Sequence, residues 1–550
     1  MRRVGLVLLG LLVLAGVTLY AEREYLILHV PGWIGRWQDP IGPFHEVRWQ
    51  EGPAARAAGP RPPNVLVIVA DDLGWNDLTW RGGGVADGAV PTPNIDSLAR
   101  DGVEFTRGYA GNATCAPSRA ALMTGRFATR FGFEFTPAPK AFMRLIAHFN
   151  EHAARKPTYF SEREKDVPSL DKEGIPASEI TLAELLRKQG YRTLGFGKWH
   201  LGEAPAMRPE ARGFDEYLGF YAGASMFLDP DDPRGVGSQQ AFDPIDKFLW
   251  ANLAFAVRKD GGPRFTPDVY MTDYLAREAS RAIDANKNRP FFLYLAFNAP
   301  HTPLQAARAD YDALPGIQNH TLRVYAAMIR ALDRGVGKVL DTLRADGLEN
   351  DTLVLFVSDN GGANYIGLPD INKPFRGWKL TFFEGGVHTP FFARWPARLP
   401  KGVRYEEPVA HVDVFATAAA AAGAPLPTDR VIDGVDLVSR VRGEPDPRTR
   451  EAIYWRSGHY RSVLWHGWKL QSSERPKKLW LFDLQSDPTE RINLADTRPD
   501  KLAEVQAELD KLDSQMVAPL WPALIEGPTA IDHSLAEPWR DDDEWVNWAN

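Results

Sequence analysis

Four short stretches of this chain read as strands, too short to be buried helices: Asn64–Ala70, Tyr191–Gly197, Pro290–Phe297 and Thr352–Val357. The first, Asn-Val-Leu-Val-Ile-Val-Ala, is rich in β-branched residues, the pattern of a strand covered on both faces in a parallel sheet. Between them the period changes to that of a helix. Pro93–Ala99 opens one, Leu182–Gly190 forms a second closed by its glycine, and Met271–Ala285 a third. Leu322–Ala345 carries Val324, Met328, Leu332, Val336, Leu340 and Leu343 on one face, which is core packing. The pattern predicts an α/β fold with a large mixed, mostly parallel sheet flanked by helices. Beyond residue 431 the strands shorten: Ala452–Trp455, Tyr460–Trp465, Trp468–Gln471 and Lys478–Leu484. Their connections are too short for crossover helices, so a smaller antiparallel sheet is expected there. One helix, striped by Leu502, Val505, Leu509, Leu512 and Met516, closes it.

The chemistry of the main region gathers at strand ends. Asp71-Asp72 follows the first strand, Lys198 and His200 the second, His301 the third, and Asp359-Asn360 the fourth. Singly, each is also what a turn or a solvated loop uses. Together they stand where open α/β sheets bind ligands, and hard oxygen donors there suit Ca²⁺ or Mg²⁺. Cys115, the only cysteine in 550 residues, can form no disulfide within the chain. A lone cysteine is commonly an inert core residue. Here Pro117 fits a first helical turn, Ala120–Met123 propagate it and Gly125 can end it. That puts Cys115 at a helix N-terminus, which favours anions, with Arg119 four residues on along the same face.

Composition changes little. With 44% apolar and 25% charged residues the chain is globular, and its length suggests more than one domain. A net charge of −7 does not suggest a nucleic acid or other polyanion as partner, so any anion specificity has to come from a local basic cluster. Arg2-Arg3 ahead of the apolar run Val4–Tyr20 reads as a signal peptide or a signal anchor. The protein is therefore expected to be exported (periplasmic, extracellular or lumenal), with membrane anchorage through residues 4–20 as the alternative to cleavage.

Cys115-Ala-Pro-Ser-Arg119 running to Thr124-Gly125 resembles the signature of the formylglycine-dependent sulfatases at every fixed position. Gly197-Lys-Trp-His-Leu-Gly202, Pro300-His-Thr-Pro303, Gly377-Trp-Lys379 with Glu384-Gly-Gly386, and the segment Trp480–Leu494 are similar to further motifs of that family, in its order. The resemblance, to the arylsulfatase and N-acetylgalactosamine sulfatase branch, implies an alkaline phosphatase-like fold. With the chain's own pattern, the expected division is 1–24 signal peptide or anchor, 25–63 linker, 64–430 catalytic domain, 431–520 C-terminal α+β subdomain and 521–550 tail. Residues 132–180 and 221–270 are expected to decide the substrate, an aryl sulfate or a sulfated glycan.

By the same resemblance, a formylglycine-generating enzyme oxidises Cys115 to Cα-formylglycine, whose hydrate attacks sulfur. One divalent cation, Ca²⁺, is held by Asp71, Asp72, Asp359, Asn360 and the modified Cys115. Arg119, Lys198 and Lys379 hold the sulfate oxygens. Lys379 or His301 protonates the leaving alcohol, and His200 helps deprotonate the second hydroxyl. The competing readings are a phosphonate or phosphate ester hydrolase of the same superfamily and a non-catalytic anion-binding protein with an intact thiol. Asp-Asn at 359–360 makes an oxygen-only pair, which favours Ca²⁺ and sulfate over a softer metal.

Overall fold

A computed structural model describes residues 20–59, 61–446 and 448–550, together with Val13 and Thr18. Nine strands form the main sheet: β1 Asn64–Ala70, β2 Val103–Phe105, β3 Arg192–Lys198, β4 Glu216–Phe220, β5 Arg258–Lys259, β6 Phe291–Ala296, β7 Thr352–Ser358, β8 Phe391–Arg394 and β9 Val403–Tyr405. Their spatial order is β9-β2-β8-β7-β1-β6-β3-β4-β5. The central run from β7 to β4 is parallel, while β8 runs against both β7 and β2, and β5 against β4.

Strand β1 shows why the apolar run has no polar break. Leu66, Ile68 and Ala70 point into one core, and Val65, Val67 and Val69 into another on the opposite face. Seven helices concern the argument: α1 Arg23–Gln38, α2 Cys115–Thr124, α3 Lys140–Phe149, α4 Pro244–Asn252, α5 Met271–Asn286, α6 His320–Ala345 and α7 Pro499–Asp513. Helices α5 and α6 cover the first face; α2 and the helix Val412–Ala421 cover the second.

The C-terminal strands β10 Ala452–Ser457, β11 Tyr460–Trp465, β12 Trp468–Glu474 and β13 Lys477–Asp483 make an antiparallel meander, as expected. Val505 and Leu509 of α7 are buried in the core that this meander shares with Tyr109 and Phe382.

Two sequence expectations are corrected. Residues 25–63 are not a linker throughout. Helix α1 packs along α4, where Asn252 Nδ2 donates to the Leu28 carbonyl at 2.8 Å. Ile41–Gly42 pairs with Arg264–Phe265, and Val47 and Trp49 are buried in the main core. Pro31, Gly32 and Gly35 obscure the helical period of this segment, which tertiary contact completes. From Glu51 to Pro63 the described residues form neither helix nor strand.

Nor is 521–550 a tail. Strands β14 Ile525–Ala530 and β15 Trp545–Ala549 pair with each other, and β14 pairs also with Thr158–Tyr159. Asn550 Oδ1 accepts from the Thr136 amide at 2.7 Å. The partner strand lies far upstream in sequence, so no local pattern announces the pairing. The apolar run Val4–Tyr20 falls outside the described residues except for Val13, Thr18 and Tyr20. Among the described residues no helix is long and apolar enough to cross a membrane.

Candidate active site

Parallel register brings four strand ends into one row. Ala70 of β1 lies beside Ser358 of β7, Val69 beside Ala296 of β6, and Ala296 beside Gly197 of β3. The residues that follow each strand therefore emerge together: Asp71-Asp72, Asp359-Asn360, His301 after a short turn, and Lys198 with His200. Asp72 and His200 both adopt left-handed backbone, φ 62° and 60°. Non-glycine residues adopt that conformation only when their surroundings impose it, commonly at functional sites.

Helix α2 brings Cys115 to the row. It starts at Cys115 and ends at Gly125, whose φ of 68° is the left-handed cap that a glycine tolerates without strain. Ser118 Oγ accepts from the Gly111 amide and lies 3.1 Å from His411 Nδ1, tying the helix to the loop before it. Cys115 Sγ donates to Asp71 Oδ1 at 3.5 Å and lies 3.8 Å from Asp72 Oδ1. Burial pushes its thiol well above the ordinary range, with Asp359 adding to the effect.

The site has two levels. Asp71, Arg119, Lys198, Asp359 and Asn360 are 0–1% exposed and form a floor. In it Arg119 Nη2 lies 2.8 Å from Asp359 Oδ2, Arg119 Nη1 donates to the Lys198 carbonyl, and Lys198 Nζ donates to both oxygens of Asp71 at 2.8 Å. Cys115, His200, His301 and Lys379 sit above it and line a cavity. Lys379 Nζ reaches Asp72 at 2.8 Å and His301 Nε2 at 3.3 Å.

Burial alone would drive Asp72 and Asp359 towards the neutral acid. Lys379 beside the first and Arg119 beside the second outweigh it and hold both below the usual carboxylate range. Burial, with Lys198 and Arg119 adding repulsion, keeps the His200 imidazole well below its ordinary value, and burial brings His301 down to about 3. Burial thus disfavours the charged form of both rings.

Residues 63–424 match the family model Sulfatase, and residues 377–517 match N-sulphoglucosamine sulphohydrolase, C-terminal. The chain belongs to the sulfatase family. It is 33% identical to N-acetylgalactosamine-6-sulfatase of Canis lupus familiaris over 74% of this chain and 73% of that one. With steryl-sulfatase of Mus musculus it shares 32% identity, over 88% and 87% respectively. Among solved structures, Ps i-CgsB in complex with k-i-k-neocarrahexaose superposes with a TM-score of 0.69 at 32% identity, covering 84% of this chain and 95% of that one. The protein is accordingly a sulfuric ester hydrolase with the alkaline phosphatase superfamily fold.

The sulfatase has a donor set that fits a divalent cation. Asp71, Asp72, Cys115 and His301 each bring a ligand atom within 4.8 Å of the others. Asp359 and Asn360 adjoin this group through Asp72: Asp359 Oδ1 accepts from the Asp72 amide at 3.1 Å, and Asn360 Nδ2 donates to Asp72 Oδ1 at 2.8 Å. The buried Asn360 Oδ1 has no partner, an oxygen donor left over for an ion. By sequence, His301 is expected at the leaving group and not among the ligands; in the structure its imidazole lies within this cluster of donor atoms.

Several residues of the sulfatase site escape sequence reading. Tyr365 donates to Asp72 Oδ2 at 3.1 Å, and Tyr294 lies 3.4 Å from Arg119 Nη1. His388 bridges Glu384 Oε2 and the Thr106 carbonyl, a structural role. None stands in a spacing that marks it.

Gly223 is the most specific of these. A Cβ there would lie 2.7 Å from His200 Nε2 and 2.8 Å from Cε1, so any side chain displaces the imidazole. Gly223→Ala is expected to lower kcat about 10- to 100-fold, with an unchanged thermal melt. An undiminished kcat would mean that the position of His200 does not matter.

Proposed function

We propose that the sulfatase hydrolyses an aryl or carbohydrate sulfate through Cys115 in its Cα-formylglycine form, with one divalent cation, Ca²⁺, held by Asp71, Asp72, Asp359, Asn360 and the modified residue. The hydrated aldehyde would supply the nucleophile, and the cation would draw charge from the sulfate oxygens.

The remaining work falls to the chain's own side chains. Lys379 offers an ammonium donor to the sulfate oxygens, and Lys198 with the Arg119 guanidinium keeps the floor positive where negative charge grows. Lys379, 3.3 Å from His301 Nε2, can pass a proton to the departing alcohol oxygen with His301 as its exchange partner. His200, with its Nδ1 unpartnered, is placed to take the proton of the second hydroxyl. The single observation carrying this reading is the thiol itself. It stands at the N-terminus of a buried helix, against Asp71, with His200, His301 and Lys379 around it at the base of a cavity.

Maturation would require a formylglycine-generating enzyme as partner. Export is read from Arg2-Arg3 and the apolar run after them; whether that run is cleaved or retained as an anchor is settled by N-terminal sequencing of the mature protein.

Mass spectrometry of the tryptic peptide Gly108–Arg119, from protein made in its native host, is the direct test. An aldehyde or its hydrate at Cys115 supports the proposal, and an intact thiol with the modifying machinery present overturns it. Metal analysis of the same sample is expected to find one calcium per chain. A zinc or iron stoichiometry would instead bring His301 into the ligand set.

A further inference from the structure

Resting on the sulfatase reading of this site, we infer that the alcohol carrying the sulfate is an apolar ring compound, aryl or polycyclic, and not a sugar. The cavity that opens from Cys115, His200, His301 and Lys379 holds about 430 Å³, within the range of a drug-sized ligand. Its base is cationic and its walls are not. Phe142 and Ile146 of α3 face Ile245, Phe248 and Leu249 of α4, and Trp539 closes the side. The Phe142 and Phe248 rings lie 4.8 Å apart. These side chains are only partly buried, so the protein leaves an apolar concave surface open beside its reactive centre, where a ligand can cover it.

A sugar ring needs donors and acceptors along its path; four polar side chains of these walls are engaged within the protein, while Thr114 Oγ1 beside Cys115 is without a partner. Asn550 is bonded in both directions to the Thr136 backbone, at 2.7 and 3.0 Å. Asn150 Nδ2 donates to the Ile146 carbonyl, and Thr302 Oγ1 to Asp246. The Asp243 carboxylate caps α4 by accepting from the amides of Ile245 and Asp246. Away from the catalytic end the one basic side chain of the lining is Arg155, whose guanidinium lies 5.0 Å from each of the Trp539 and Trp545 rings. A polyanionic glycan would find no row of cations to follow.

The test uses full-length enzyme with Cys115 shown to be converted, and compares kcat/KM on 4-nitrophenyl sulfate, a 3-sulfated sterol and N-acetylgalactosamine 6-sulfate. The sterol ester, whose leaving alcohol is no more acidic than that of the sugar ester, is expected to exceed the sugar ester 100-fold or more. Phe248→Asp should lower kcat/KM on the sterol ester at least 10-fold more than on the sugar ester, since it puts a charge in the apolar wall. Ile146→Asn serves the same purpose if the first variant melts early. A sugar ester turned over as well as the sterol ester, or equal losses in the variants, overturns the inference and leaves the sulfatase reading intact. Failure on all three esters by converted enzyme removes both.

Discussion

Cys115→Ala is expected to lower kcat for sulfate-ester hydrolysis by about 10⁴- to 10⁶-fold, the scale seen when a nucleophile is removed from a site whose other groups remain, while the melting temperature shifts by only a few degrees. The asymmetry follows from what the side chain touches. Its Sγ contacts carboxylate oxygens at 3.5 and 3.8 Å and borders the open cavity, so truncation leaves a small wet space and no orphaned partner. The helix keeps its closing glycine and its Ser118 tie to the preceding loop. Initial rates on 4-nitrophenyl sulfate and a thermal melt on the same preparation measure both halves. Turnover within 10-fold of the parent would end the assignment of Cys115 as nucleophile precursor; a collapsed melt with activity surviving in the folded fraction would make the residue structural.

Arg119→Ala is expected to damage both activity and stability. The guanidinium is fully buried, 2.8 Å from Asp359 Oδ2 and 3.5 Å from Asp71 Oδ1, and donates to the Lys198 carbonyl. Removing one partner of a buried pair typically costs about 3–5 kcal/mol, because the stranded charge finds no water. Losing a charge that stabilises the transition state lowers kcat by about 10²- to 10³-fold. Urea unfolding and steady-state kinetics read the two separately. Added Ca²⁺ should recover part of the stability, since a dication beside Asp71 and Asp359 replaces the missing positive charge, but not the turnover. Arg119→Lys is expected to recover less than charge alone predicts: an ammonium cannot address Asp359, Asp71 and the Lys198 carbonyl in the plane that the guanidinium fork spans. A variant as stable as the parent with or without calcium would show that the floor does not depend on this ion pair.

Much of this site was legible because its parts are local. A strand that is apolar on both faces ends abruptly, and the next residues are Asp71-Asp72 or Asp359-Asn360. The turn at Pro117 and the stop at Gly125 fix where α2 begins and ends around Cys115. The row formed by the strand ends followed from parallel pairing, which apolar runs separated by helices imply. Less accessible was what depends on an encounter between distant segments. Asp72 is held by Tyr365 and Lys379, each about three hundred positions away. Gly223 lies in a loop whose sequence offers no sign that an imidazole needs the space above it.

The same division explains the two corrected ends of the chain. Helix α1 contains a proline and two glycines, so its intrinsic preference is weak, and its contact with α4 compensates. The acidic run before Trp545 hid a strand that forms once β14 offers it a partner.

By itself the sequence determined the kind of chemistry and the main architecture, since both are written in short-range patterns: strand period, helix start and stop signals, and reactive residue types at strand ends. Tertiary structure alone decided which of those residues are sealed in the floor and which face the cavity, and that the cavity's walls come from α3, α4 and the C-terminal segment. The reason is physical. Burial and the pairing of charges depend on elements hundreds of residues apart meeting in space, and no local pattern carries that information.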